Sequence, residues 1–370
     1  MADESRMESI VPDPVAMRRD DADSASSRRM RGAGVRVLRW SQNNGLLFAL
    51  IILLVIFTVE SSRFLTRGNI TVILLNVSVI GLIAVPGAMI VLAGYVDLSV
   101  GSVSTLGSIV FGAIAAGSHQ NPVVAAAVAL AAGLGWGLMN GVLISYFGFS
   151  AIVVTLGGLA GATGVAELIC NGQTQTGFGH TFDSLGNGKA AGLPIPVWIF
   201  FAVYLFGAYV WYAMRYGRHF TAIGADRVAA RSLGINVRRQ VCFLYAVSGV
   251  AAALGGLIVT AQLDAASLSI GQGQELQVLT AILLGGVSFV GGRGSLFGVL
   301  VGVLFIGVLN DGLILMNISP YINQLAVGVA LVFAAALDVL YRRLDRVATT
   351  DSERSVEPPA TDDSALAVSP

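Results

Sequence analysis

The chain is short of charge. Of its 370 residues only 12% are Asp, Glu, Lys or Arg, and Lys189 is the single lysine among 22 basic residues. Around that lysine a P-loop, GxxxxGK[ST], is excluded, because Asp183 stands at the first glycine position and Ala190 at the hydroxyl position. GQGQEL near 271 and the glycine-rich 285–294 lack the strand–turn–helix setting of a dinucleotide fingerprint. His119, His180 and His219 lie too far apart for HExxH or a similar ligand set, so no metal is expected. The two cysteines, Cys170 and Cys242, have no disulfide or metal spacing and read as small apolar helix residues. With 22 acidic residues against 22 basic ones the net charge is zero, which gives no electrostatic case for nucleic acid. No catalytic residue and no cofactor is expected. ATP-driven work would need a separate hydrolysing subunit.

What the chain has is apolar length. Hydrophobic residues make up 55%, and the mean hydropathy of +0.76 places it among all-α polytopic membrane proteins. Its 45 glycines suit close helix–helix approach, since lipid offers no hydrophobic drive for helices to pack. Apolar runs near 46–60, 71–93, 98–117, 122–145, 150–170, 195–214, 240–262, 276–291, 295–316 and 321–340 predict about ten transmembrane helices. Residues 1–42 read as a disordered basic cytoplasmic arm that sets the first span N-in, and its apolar core comes too late for a secretory signal. Ten crossings then return the C-terminus to the cytoplasm. Arg342, Arg343 and Arg346 agree, as the outer loops carry only Arg63, Arg67 and Lys189. Residues 43–345 form the membrane domain, 346–370 a disordered acidic tail, and 171–194 the longest outer loop.

One loop departs from the general scarcity of charge. Residues 217–239 hold Arg218, Arg227, Arg231, Arg238 and Arg239 between two apolar spans, which marks a cytoplasmic connection. Its middle predicts a short helix, with Asp226 as N-cap, Gly234 as a left-handed C-terminal cap, and Arg227 and Arg231 on one face. Such a helix is too short to stand alone in water and is shaped to dock. The plainer reading is an interfacial loop whose arginines only fix topology.

Few ionisable groups fall within the spans. Glu167 and Asp311 lie near outer span ends, and Asp97 lies at an inner break, where it predicts an N-cap for the next helix rather than a solute contact. Asn76, Asn140, Thr155 and Asn310 either line a path for a neutral polyhydroxylated solute or bond neighbouring helices. The mid-membrane lacks the carboxylate and histidine chains of ion-coupled transporters. The stretches 85–107 and 279–298 resemble each other as span, glycine-rich break and small-residue span, an internal symmetry expected of two-repeat transporters.

Three motifs in order resemble the ribose-type (monosaccharide) permease subunits of bacterial binding-protein-dependent ABC importers. The first is Tyr95-Val96-Asp97-Leu98-Ser99-Val100-Gly101-Ser102, with Tyr95 where a small residue is commoner. The second is the loop itself, in which Gly224, Ala229, Ala230, Arg231, Gly234, Ile235 and Val237 match the coupling segment. Asp226 replaces the usual Asn there, and Val228 the usual Glu. The third runs from Gly285 to Gly294 and includes Gly291 and Gly292. The resemblance implies a pore of two permease subunits in the bacterial inner membrane, two cytoplasmic ATPase subunits and an extracytoplasmic solute-binding protein. In that scheme Arg227 and Arg231 supply polar contacts to the ATPase, Leu233 and Ile235 anchor it, and Gly234 makes the sharp exit. A branched-chain amino-acid or nucleoside permease of the same architecture is the alternative. A secondary transporter without an ATPase is a more distant one.

Overall fold

A computed structural model describes residues 45–116 and 121–354. The arm 1–42, His119 and the chain beyond Arg354 lie outside the described residues. The chain divides into two units, Met1–Ala49 and Leu50–Pro370. Of the first, only the opening of helix α1 (Gly45–Glu60) is described.

The second unit is helical almost throughout. It continues α1 and adds α2 (Arg67–Leu92), α3 (Val100–Ala115), α4 (Pro122–Ser145) and α5 (Ala151–Cys170). After α6 (His180–Asn187) come α7 (Ile195–Ala208), a π-helical turn (Tyr209–Ala213), α8 (Arg215–Ala225) and α9 (Arg227–Ser232). The rest is α10 (Val237–Leu263), α11 (Gln274–Leu284), α12 (Leu296–Leu315) and α13 (Pro320–Arg354). Seven of these are long and apolar enough to cross a bilayer, namely α2, α4, α5, α7 with its π-turn, α10, α12 and α13. The protein is therefore an all-α polytopic membrane protein, and α1, α3 and α11 are shorter apolar helices.

Two expected edges differ for physical reasons. The run 276–291 was read as one helix, but α11 has 11 residues and stops at Gly285. Gly286, Gly291 and Gly292 all adopt positive φ, which no continuing helix allows. At the other terminus α13 carries past position 346 to Arg354, so the helix outruns the boundary drawn from composition.

Burial sorts the helices into centre and rim. Of the best apolar window in α2, 78% is buried inside the protein, against 11% in α13. From Val77 to Leu92 every residue of α2 is buried, so this helix is apolar on all sides and forms the axis of the bundle. Beside it α10 packs on α4 through small residues. Gly133, Gly137 and Gly141 recur every four residues along α4 and meet the Gly249, Tyr245 and Cys242 backbone of α10. A hydroxyl pair also ties α10 to α3, where Thr260 donates to Ser108 at 2.6 Å.

Short strands tie two loops at one end of the bundle. Residues 175–176 (β1) pair antiparallel with 265–266 (β4), and 189–190 (β2) pair with 193–194 (β3). From β4 the chain turns back along α3 without forming helix. Ala266 packs beside Gly112, and the Gly271 N–H donates to Thr105 Oγ1 at 3.1 Å. Irregular backbone is tolerated at membrane depth only where protein or a cavity covers it, and Ala266, Ile270 and Gly271 are buried.

The α4–α10 seam yields a first test. A side chain at Gly249 would drive into the Gly133 carbonyl, whereas Gly157 of α5 faces open space. Gly249→Val is expected to destabilise the purified protein by about 1–3 kcal/mol, the usual cost of overpacking. Gly157→Val is expected to leave it unchanged, and thermal melts in detergent compare the two.

Candidate functional site

The arginine-rich loop folds as its sequence suggests. The Asp226 carboxylate accepts from the backbone N–H groups of Val228 at 2.7 Å and Ala229 at 3.1 Å, starting α9. At the far end Gly234 takes φ +78°, its N–H donating to the Arg231 carbonyl while the Ile235 N–H reaches back to Ala230. The same glycine cap ends α2 at Gly94 and α11 at Gly286, with matching hydrogen-bond pairs. A side chain with a Cβ in that left-handed conformation would cost about 1–2 kcal/mol.

The three motifs, far apart in sequence, meet at one place. Gly224 at the end of α8 lies against the Leu92 carbonyl of α2 and the Gly291–Gly292 backbone of the α11–α12 connection. Gly291 packs in turn on Gly94, and the Gly292 N–H donates to the Leu92 carbonyl at 2.8 Å. Any Cβ at Gly224 would overlap backbone on two sides, so the junction exists because no side chain stands there. The signature residue Gly294 packs against Val287 within the same loop.

This junction fixes which way α9 faces. Ala230 is buried, and Arg227, though exposed, reaches back along the protein surface to donate from a guanidinium nitrogen to the Gly94 carbonyl at 2.8 Å. Its guanidinium carbon also lies 4.1 Å from the centre of the Tyr95 ring. Arg227 is thus held by its own chain, a contact that the loop sequence did not disclose. Facing outward are Ala229, Arg231 and two apolar side chains, Val228 at 73% exposure and Leu233 at 77%, while Ile235 is half-buried. Val228, noted in the sequence only as a departure, belongs to this exposed face.

Behind the junction lies a buried polar cluster. Asp97 does not cap α3, whose N-cap is Ser99. Instead one carboxylate oxygen accepts from the Ser99 N–H at 3.0 Å and hydroxyl at 2.7 Å, and the other from the Ser248 hydroxyl of α10 at 2.8 Å. Asn140 of α4 donates to the Ser99 hydroxyl at 2.9 Å, and the Tyr245 hydroxyl donates to the Val96 carbonyl at 2.7 Å. The break between α2 and α3 is thereby tied to α4 and α10. Neither Ser248 nor Tyr245 carried a motif that could have singled it out.

The four polar residues considered for a solute path are not gathered together in this cluster. Thr155 donates to the Ala151 carbonyl of its own helix, and Asn76 is half-buried on α2. Asn140 and Asn310 are buried, and each keeps its side-chain oxygen without a hydrogen-bond partner. Asp311 accepts from Asn69 at 2.6 Å, which ties α12 to α2, and Glu167 is exposed on α5. Gly101 marks the crossing of α3 with the start of α11, where a Cβ would meet the Glu275 carboxylate and the Gly271 carbonyl.

The family described as "Branched-chain amino acid transport system / permease component" matches residues 69–335. The ribose import permease protein of Escherichia coli is 35% identical over 303 residues, covering 81% of this chain and 94% of that protein. The chain belongs to this permease family. The ribose import permease protein of Bacillus subtilis is 33% identical, covering 80% of this chain and 92% of its own. The D-allose transport system permease protein of Escherichia coli is 32% identical, covering 80% and 91%. All three glycine-junction motifs of the permease lie within the matched span.

The inward tie of Arg227 is testable by a double-mutant cycle. Arg227→Ala and Tyr95→Ala are expected to show a coupling of about 0.5–1 kcal/mol, the range for an exposed cation–π pair. Unfolding in mixed micelles measures it, and additive effects would remove the contact.

Proposed function

We propose that the chain is the pore-forming permease subunit of a binding-protein-dependent ABC importer in the bacterial inner membrane. Its solute is a monosaccharide or a related polyol-like molecule. Supporting this above all is the exposed apolar pair Val228 and Leu233, carried on a helix whose other side is anchored to the glycine junction. Exposed apolar side chains on a six-residue helix and its C-cap are suited to a groove on another protein. The named substrates of the relatives, ribose and D-allose, are neutral polyhydroxylated sugars, which suits a permease whose buried amides Asn140 and Asn310 keep free acceptor oxygens. The family description names branched-chain amino acids, and that substrate class remains the second reading.

In this reading α1, α3 and α11 complete ten crossings with both termini cytoplasmic. The parity of the chain supports it. Gly94, Gly224 and Gly291 gather at one end, while the paired β1 and β4 tie the 175–176 and 265–266 loops together. The helix–break–helix units α2–α3 and α11–α12, whose breaks touch through Leu92 and Gly292, are the halves of a two-repeat organisation.

The partners are two cytoplasmic ATPase subunits, an extracytoplasmic solute-binding protein and a second permease subunit. ATP binding closes the ATPases and shifts α9 as a rigid lever. Arg231, Val228 and Leu233 meet the ATPase, whereas Arg227 transmits the shift inward. Through the junction the movement reaches the end of α11 and the end of α2, which leads into the buried polar cluster, and the pore changes its facing.

Leu233→Asp is expected to cut sugar uptake and the yield of co-purifying ATPase by about tenfold or more, as loss of an interface anchor does. Gly234→Arg, at an open position with φ +78°, is expected to insert and fold but uncouple transport. Uptake in vesicles and solute-stimulated ATPase activity read both. Loss of membrane insertion, or gradient-driven uptake by the chain alone, would contradict the reading.

A further inference from the structure

A second feature lies on the flank of the bundle, beside α8 and the start of α10. The π-turn at Tyr209–Ala213 and the extended Met214 separate α7 from α8. A groove of about 800 Å³ lies between α2, α7, α8 and α10. Phe206 and Phe243 line it and are more than half exposed, so the groove opens onto the outer surface of the bundle.

The groove is polar at one end only. Arg215, Tyr216, His219, Arg239 and Gln240 lie there, and no acidic side chain is among its lining residues. The Arg215 guanidinium sits 5.5 Å from the Tyr216 ring centre, and Gln240 bonds His219 at 2.7 Å while its side-chain oxygen has no partner. Beyond them the lining is aliphatic and aromatic, running along α10 from Phe243 to Leu254. From Gln240 to Leu254 α10 rises about 21 Å at 1.5 Å per residue, enough to follow the roughly 15 Å of hydrocarbon in one leaflet.

We infer that this groove is a binding site for an anionic glycerophospholipid. The acyl chain lies against α2, α7 and α10, and the phosphate is held by Arg215 and Arg239. Two guanidinium groups are matched to phosphate oxygens by their paired donors. Lipid fits better than a second copy of this chain, because a two-fold symmetric contact would bring the same arginines to both sides. It also fits better than a sugar, because the groove wall is apolar for most of its length and open at the side. The inference is independent of which solute is carried.

Native mass spectrometry of the full chain, exchanged into mixed phosphatidylglycerol and phosphatidylcholine, tests it. The wild-type protein is expected to retain phosphatidylglycerol about tenfold over phosphatidylcholine, a preference of about 1.4 kcal/mol. Arg215→Gln with Arg239→Gln is expected to abolish the preference. Val247→Trp, which fills the apolar groove and leaves both arginines in place, is expected to lower retention of both lipids. Equal retention by the wild-type protein would overturn the inference, as would unchanged phosphatidylglycerol binding in both variants. A Phe243→Cys disulfide between two copies in lipid bilayers would assign the groove to the second copy instead.

Discussion

Three backbones that touch without side chains between them decide much of this structure. Gly94, Gly224 and Gly291 come from separate parts of the chain, and each lies where a Cβ would strike the backbone of another. Lipid gives helices no hydrophobic reason to associate, so such close approach, with its dispersion contacts and backbone hydrogen bonds, is the available substitute. Here it joins the end of α2, the end of α8 and the α11–α12 connection, and one hydrogen bond, Gly292 to Leu92, closes it. On this base α9 acquires an inside and an outside. Ala230 settles inward and Arg227 is tied to the Gly94 carbonyl, leaving Val228 and Leu233 outward and without such a tie.

The broken helices follow from the same logic. A chain that interrupts α-helix within a membrane must satisfy the freed backbone and polar groups from its neighbours. The α2–α3 break does so through Asp97, Ser99, Ser248, Asn140 and Tyr245, which link it to α4 and α10. The stretch before α11 does so through Thr105 and by burial against α3. The α2–α3 break is thus fixed to α4 and α10 on one side and to the glycine junction on the other, while the stretch before α11 is fixed to α3. Movement imposed at α9 would meet a connected framework rather than loose loops.

Much of this could be read from the sequence, though unevenly. The long helices were legible because a run of about 20 apolar residues is what a bilayer crossing demands. The small helix at 227–232 was legible because its cap residues, Asp226 and Gly234, act locally. The orientation of that helix was not. Arg227 and Arg231 look alike at i and i+4, and only the approach of Tyr95, more than a hundred residues earlier, separates them. The short extent of α11 was hidden by glycines that read as apolar membrane residues while setting positive φ. Asp97 sits two positions before the true N-cap, and its Ser248 partner lies 151 residues away, beyond any local pattern.

The central claim is that α9 and the α11–α12 connection move as one body through the glycine junction. Spin labels at the exposed positions Leu233 and Val290 measure this directly in the assembled transporter, by pulsed dipolar spectroscopy with and without ATP. The distance between the two labels in one chain is predicted to stay constant, while the distance between the Leu233 labels of two permease subunits changes. If ATP alters the Leu233–Val290 distance as much as the distance between subunits, the junction is a hinge rather than a rigid joint and the claim fails.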